Sequence, residues 1–126
     1  MSMTAVQVIE SARLSTGDTD QSRQTWNDAT FLIALNDGLS LIYTNYPETR
    51  TDSSGGLYEF ARIEQQGLMS DMSLSDQYFS ALVEYLAFRF FDSDQGDTRD
   101  AATATVHWTA FRRIMNPNQV SDQKVR

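Results

Sequence analysis

Hydrophobic residues recur at helical spacing in four stretches of the chain. In the strongest stretch, residues 75–93, apolar and aromatic side chains fall on one side at intervals of one, three and four. The other stretches are 4–14, 28–45 and 98–115. The pattern therefore predicts four amphipathic helices. The side chains predicted to face the core are Ala5, Val8, Ile9 and Ala12; Phe31, Leu32, Leu35, Leu39, Ile42 and Tyr46; Tyr78, Phe79, Leu82, Val83, Leu86 and Phe90; and Ala101, Ala104, Trp108, Phe111 and Met115.

Capping residues and prolines mark the ends of these stretches. Asn27 is a suitable N-cap for the second helix, and Trp26 before it is placed to pack back onto the first turn. Ser75 takes the capping position before the third helix. Because proline cannot continue a helix, Pro47 and Pro117 end the second and fourth helices.

The regions outside the helices predict a long connection and a tail. The connection at 47–74 is longer than most loops, and its segment 57–63 is a candidate strand of a short β-hairpin. Residues 116–126 are polar and weakly basic, which predicts a flexible, extended C-terminal tail. The sequence thus predicts an all-α fold: a four-helix bundle over 1–115, with 47–74 as a long loop or hairpin insertion.

Arg89 lies near the middle of the apolar face of the third predicted helix. A buried arginine needs a carboxylate or several carbonyls, because an unpaired buried charge is costly and arginine does not lose its proton. If the second and third helices are antiparallel, Asp28 lies about one turn from Arg89, and both are well placed for their helix dipoles. We therefore expect an Asp28–Arg89 ion pair, with Asn36 as a further candidate partner.

Three apolar residues lie away from the main stripes. Ile33 and Leu41 belong to the second helix, and Phe91 lies on a mostly polar stripe of the third. Such residues are normally covered, either by another element of the same chain or by a partner chain.

Charge is distributed unevenly along the chain. The net charge is −7, yet residues 1–100 carry 16 acidic and six basic side chains while residues 101–126 carry a single acid. An acidic body does not attract nucleic acid phosphates, but an acidic body with a basic end can attract copies of itself or an acidic neighbour. Negative charge that only keeps the chain soluble is the alternative. The basic residues at the C-terminal end are Arg112, Arg113, Lys124 and Arg126.

Length and composition exclude several classes of protein. A chain of 126 residues with 40% hydrophobic and 21% charged residues is typical of one globular domain. No apolar run is long enough to span a bilayer, and residues 1–14 lack the layout of a secretory signal. The absence of cysteine excludes disulfides, thiolate zinc sites and a cysteine nucleophile, and it fits a reducing compartment.

Motifs for catalysis or metal binding are weak. His107 is the only histidine and has no partner motif, so packing or an interface is the favoured role. The acidic run 92–100 looks like a calcium loop, but Gly96 takes the fifth ligand position and Thr103 the twelfth, where glutamate is needed. We therefore expect a solvated turn there, and no catalytic, cofactor or metal site in the chain.

Two segments, 25–47 and 81–114, resemble signatures of a known family. In the first segment, TWNDATFLIALNDGLSLIYTNYP, the features that carry the resemblance are the tryptophan, the Asn-Asp cap, the leucine stripe and the mid-helix Asn-Asp. In ALVEYLAFRFFDSDQGDTRDAATATVHWTAFRRI they are the Ala-Leu-Val-x-Tyr run, Arg89, the aspartate after an aromatic pair, and the spacing of His107 and Phe111. Both segments are similar to the tailed-bacteriophage head–tail adaptor proteins, the connector-ring family that joins portal to tail.

The resemblance implies a structural virion protein without catalytic activity or cofactor. Members of the family are helical bundles that form a ring, commonly dodecameric, in the neck between the portal protein and the tail or neck proteins. Genomic DNA passes through the ring without specific binding, and assembly takes place in the host cytoplasm. Subunit or portal contacts are then expected at Ile33, Leu41, Phe91, Arg112, Arg113, Lys124 and Arg126.

Two other functions remain open from the sequence. A small acidic binding module, such as a DNA-mimic inhibitor or an antitoxin-like regulator, would use the carboxylates of 92–100 against a basic partner. An enzyme is disfavoured, because the sequence offers no converging set of titratable residues.

Overall fold

A computed structural model describes residues 4–18, 26–46, 78–93 and 98–116, the last range without the side chains of 98 and 99. These ranges form four helices and contain no β-strand, so the all-helical prediction is confirmed for them. The predicted hairpin, the long connection and the C-terminal tail lie outside the described residues. The helices are α1 (Ala5–Thr16), α2 (Asp28–Asn45), α3 (Phe79–Asp92) and α4 (Thr98–Met115).

Local hydrogen bonds explain where α1 and α2 begin. Thr4 caps α1 in a reciprocal box, in which its hydroxyl accepts from the Gln7 backbone and the Gln7 side chain accepts from the Thr4 backbone. Asn27 caps α2 by accepting from the backbone N–H of Thr30, as predicted. The bounds of α2 and α4 agree with the prediction, whereas α3 begins at Phe79 without a side-chain cap.

Helix α1 ends at a glycine because its last turn needs a left-handed residue. Gly17 has φ of 80°, and the backbone N–H of Asp18 bonds back to the carbonyl of Arg13. Residues with a Cβ rarely adopt this conformation, so glycine fits the position best.

Helix α3 is the central element, because each of the other three helices packs against it. Helices α1 and α2 also contact each other, while α1 and α4 have hardly any contact. Packing from several sides explains why α3 buries Ala81, Tyr85 and Ala87, which its main apolar stripe does not include. The largest fully buried side chains are Phe31, Phe111, Ile9, Leu35, Ile42, Leu82, Leu86 and Val8.

The predicted core faces hold best for α1 and α2. All four predicted residues of α1 are buried, and so are five of the six predicted in α2; Tyr46, at the C-cap, is half-buried. In α4, Ala104 and Phe111 are buried but Ala101 is exposed. Helix α4 is therefore the most peripheral of the four.

Candidate interaction surfaces

A buried arginine joins the end of α1 to the start of α2. Nη1 of Arg13 donates to the Trp26 carbonyl at 2.8 Å and to the Asp18 carboxylate at 3.3 Å, and its Nη2 donates to Asp28 at 2.7 Å. The guanidinium also lies 4.8 Å from the centre of the Phe31 ring. The side chains of Arg13 and Asp18 are both less than a tenth exposed. This Arg13 cluster fixes the ends of the connection between the two helices.

Asp18 completes the Arg13 cluster from its other side. Its carboxylate accepts from the backbone N–H of Trp26 at 3.0 Å, so one carboxylate binds both the guanidinium and the start of α2. The cluster is not among the ion pairs that the sequence predicts. Its signal in the sequence is weak, because Arg13 follows Ile9 by one helical turn and its acidic partners, Asp18 and Asp28, are ten positions apart in the chain.

The predicted Asp28–Arg89 ion pair is wrong, because both residues have other partners. Arg89 donates to Asp37 at 3.0 Å and to the hydroxyl of Tyr85 at 3.0 Å, whereas Asp28 binds Arg13. The end of α3 does lie near the start of α2, but Phe90 is the residue that points there, toward Trp26 and Phe31. Arg89 is one residue away around the helix, so its side chain reaches the middle of α2 instead.

Arg89 remains charged in this position. Partial burial lowers its pKa, but the hydrogen bonds and charge interactions with Tyr85 and Asp37 outweigh burial, so the pKa is raised. Asn36, the further candidate partner, is buried and donates from its side chain to the carbonyl of Leu32. The arginine is therefore a cation held between α2 and α3 by Asp37 and Tyr85.

The glycine inside α2 has a packing reason. A Cβ added at Gly38 would lie 2.7 Å from Cδ2 of Tyr85, which is closer than real contacts of this kind. Gly38 therefore lets the Tyr85 ring approach the backbone of α2. This close packing offsets the lower helix propensity of glycine, which costs roughly 1 kcal/mol relative to alanine.

The single histidine joins α3 to α4. Nδ1 of His107 lies 2.7 Å from Oε2 of Glu84, and the imidazole stacks on the Phe91 ring at 5.7 Å with an interplanar angle of 2°. Next to it, Phe88 contacts Trp108, and Tyr85 contacts Phe111. His107 thus has the packing role that the sequence favours.

The residues predicted as subunit or portal contacts differ in exposure. Ile33 is 54% exposed, and Arg112 and Arg113 are exposed. Leu41 and Phe91 are half-buried, Leu41 beside Trp108 and Phe91 beneath His107. Helix α4 therefore covers part of Phe91 and lies across the cavity from Leu41, and the role of both residues as subunit contacts stays a prediction. Lys124 and Arg126 lie outside the described residues.

A shallow cavity lies where the ends of α2 and α4 meet. It has a volume of about 180 Å³ and is bounded by Tyr46, whose hydroxyl accepts a hydrogen bond from the Asn116 side chain. This volume is below the range usual for small-molecule sites. The lining residues are Leu41, Asn45, Tyr46, Trp108, Phe111 and Arg112.

The described residues contain neither a metal-ligating cluster nor a membrane span. No group of three or more His, Cys, Asp or Glu side chains in these four ranges is arranged to hold a metal ion. None of the four helices is long and apolar enough to cross a membrane.

Comparison with known proteins identifies no relative of this chain. No protein-family model, curated protein or solved structure matches this chain.

Proposed function

We propose that this chain is a structural virion protein, a head-to-tail adaptor that forms a ring between portal and tail and has no catalytic activity. The observation that carries the proposal is the resemblance of two segments, 25–47 and 81–114, to the signatures of the adaptor family. In this proposal the genome passes through the ring, and the chain is part of the phage neck.

The contacts between these two segments support the proposal. Trp26 of the first segment packs edge-on against Phe90 of the second at 5.4 Å, and Phe31 stacks parallel to Phe90 at 6.1 Å. Further along, Gly38 of the first segment receives the Tyr85 ring of the second. Residues that carry the resemblance therefore also form the packing between α2 and α3, as expected of a shared scaffold.

The outer surface gives a second line of support. Val106 on α4 is 64% exposed, and Arg112 and Arg113 follow it on the same helix without an ion pair in the described part of the chain. Arginine is enriched in protein–protein interfaces relative to the rest of the surface, so an exposed apolar side chain near two arginines suits such a contact. A protein whose role is to bind other subunits would need such surfaces.

Particle assembly in a phage that lacks this reading frame tests the proposal. We expect DNA-filled heads and separate tails in electron micrographs, and restoration of joined particles when the chain is supplied in trans. A variant truncated after Asn45 is a matched negative control, since it lacks α3 and α4. Joined, infectious particles without the chain would overturn the proposal.

The tail contributes to docking in this proposal. Truncation after Met115 removes Lys124 and Arg126 together with the rest of 116–126. We expect the helical circular dichroism signal to persist while the yield of joined particles falls. Replacing only Lys124 and Arg126 with glutamine separates the effect of charge from that of length. Normal particle yield from the truncated chain would refute the role of the tail.

The acidic balance of residues 1–100 favours one other function, a small acidic module that binds a basic protein. Such a module would bind a nucleic-acid-binding protein in competition with DNA, and charge-neutralising substitutions at Asp92 and Asp100 would weaken it. Competition of this kind, together with normal particle assembly in the deleted phage, would favour this second function over the adaptor.

A further inference from the structure

Two exposed patches lie on helices that α3 separates. The first, here the α1 patch, consists of Glu10 and Leu14, one turn apart on α1. Leu14 is 76% exposed, the highest value among the large hydrophobic residues that are exposed in the described ranges. Glu10 is exposed and forms no ion pair within those ranges. The α1 patch is therefore an exposed apolar side chain beside a carboxylate that forms no ion pair in the described ranges.

The second patch has the complementary character. A shallow groove of about 300 Å³ runs along the outside of α4 and ends at Arg113. Its other four residues are small or β-branched, so it can accept an apolar side chain. Arg113 is exposed and forms no ion pair in the described structure. The residues of this α4 patch are Thr105, Val106, Thr109, Ala110 and Arg113.

The spacings of the two patches match. Glu10 and Leu14 are separated by about 6 Å along the axis of α1, and Ala110 and Arg113 by about 4.5 Å along α4. If Leu14 enters the groove between Val106 and Ala110, Glu10 lies toward Arg113 when the two helices are antiparallel. That orientation also brings opposite ends of the two helix dipoles together.

We propose that the α1 patch of one copy docks on the α4 patch of a second copy, so that copies associate head to tail. Because α1 and α4 both pack on α3 and hardly contact each other, the two patches of one chain do not meet. A contact between two different patches repeats from copy to copy and closes into a ring when the rotation permits. The inference deepens the proposed function, since it assigns the subunit contact of the adaptor ring.

Disulfide trapping tests this contact, because the natural chain contains no cysteine. A mass-tagged Leu14→Cys variant is mixed with an untagged Val106→Cys variant at high concentration and oxidised mildly. We expect the mixed disulfide to exceed, by several-fold, that of a control mixture of Leu14→Cys with Ile33→Cys, whose cysteine replaces another exposed apolar residue. A yield no greater than the control would overturn the proposal, and so would predominant self-pairing of Val106→Cys.

Charge reversal in the same assay tests the orientation. Glu10→Arg in the Leu14→Cys chain, or Arg113→Glu in the Val106→Cys chain, should lower the rate of mixed disulfide formation by about tenfold, because repulsion replaces attraction. Combining the two reversals should restore it. Asp92→Arg, a reversal at another exposed acid, is the matched control and should leave the rate unchanged. Reversals without effect, or without mutual rescue, would exclude the Glu10–Arg113 pairing.

The outcome is separable from that of the adaptor proposal. Trapping uses the purified chain, whereas the adaptor role is read from phage particles. Specific trapping with normal assembly in the deleted phage would retain the contact and remove the adaptor. Loss of assembly in that phage without specific trapping would retain the adaptor and remove this contact.

Discussion

At the junction of α1 and α2, one buried arginine binds two carboxylates and two carbonyls, whereas between α3 and α4 several aromatic rings pack side by side. The stability that the Arg13 cluster provides depends on every hydrogen bond in it, because removing one partner takes a hydrogen bond from a buried polar group. The aromatic contacts between α3 and α4 are spread over several pairs, among them Phe88–Trp108 and Tyr85–Phe111. The comparison indicates that single substitutions should damage the first region far more than the second.

The largest expected effect is at Arg13. Arg13→Met keeps much of the side-chain volume but removes the guanidinium that binds the buried Asp18 carboxylate, so we expect a loss of about 3–5 kcal/mol in the free energy of unfolding. Urea titration followed by circular dichroism measures it. Arg13→Met combined with Asp18→Asn should recover part of the loss. A cost below about 1 kcal/mol for the single variant would show that the cluster adds little stability.

Gly38 is next in expected effect. In Gly38→Ala the new methyl group collides with the Tyr85 ring, and overpacking should outweigh the gain in helix propensity, for a net cost of about 1–2 kcal/mol. The matched background is Tyr85→Leu, in which the same substitution should become stabilising by up to about 1 kcal/mol. A double-mutant cycle by urea titration measures the coupling. If Gly38→Ala stabilises both backgrounds, the close approach does not limit packing.

His107 distinguishes ring stacking from hydrogen bonding between α3 and α4. His107→Ala removes both the stack on Phe91 and the bond to Glu84, with an expected cost of about 1–1.5 kcal/mol. His107→Phe keeps an aromatic ring and should cost less. Thermal unfolding of the two variants gives the order. Equal costs would mean that the hydrogen bond, rather than the stack, supports this contact.

The smallest expected effect is at the exposed Arg89–Asp37 pair. Its side chains are 34% and 47% exposed, so solvent screens the interaction, and Asp37→Ala should cost less than about 1 kcal/mol. The difference between wild type and variant should shrink further in high salt. A cost comparable to that of Arg13→Met would contradict the contrast between buried and exposed ion pairs.

Much of the architecture follows from short-range rules in the sequence. The Asn27 cap, Pro47 and the helical periodicity place α2 at its observed bounds. The periodicity and Pro117 place α4. The core face of α1 is also predictable, because its apolar residues occupy one narrow stripe. These features depend on contacts within one or two helical turns, which the sequence specifies directly.

The ion pairs were harder to predict, because each depends on how helices cross. Both Asp28 and Arg89 were recognised as charges that need partners, but the pairing between them is wrong. A shift of one residue rotates a helical side chain by about 100°, which decides whether Arg89 or Phe90 faces the start of α2. Arg13 was missed because its partners come from two separate segments.

The sequence by itself determined the four helical stretches, the bounds of α2 and α4, the uneven charge and the absence of thiol chemistry. The tertiary structure alone decided which charges meet, why Gly38 is needed, and that Phe91 stacks on a histidine of α4. It also decided which large apolar side chains stay exposed, namely Ile33, Leu14 and Val106. The physical reason is range: helix formation depends on neighbours within about four residues, whereas burial and pairing depend on the relative placement of whole helices.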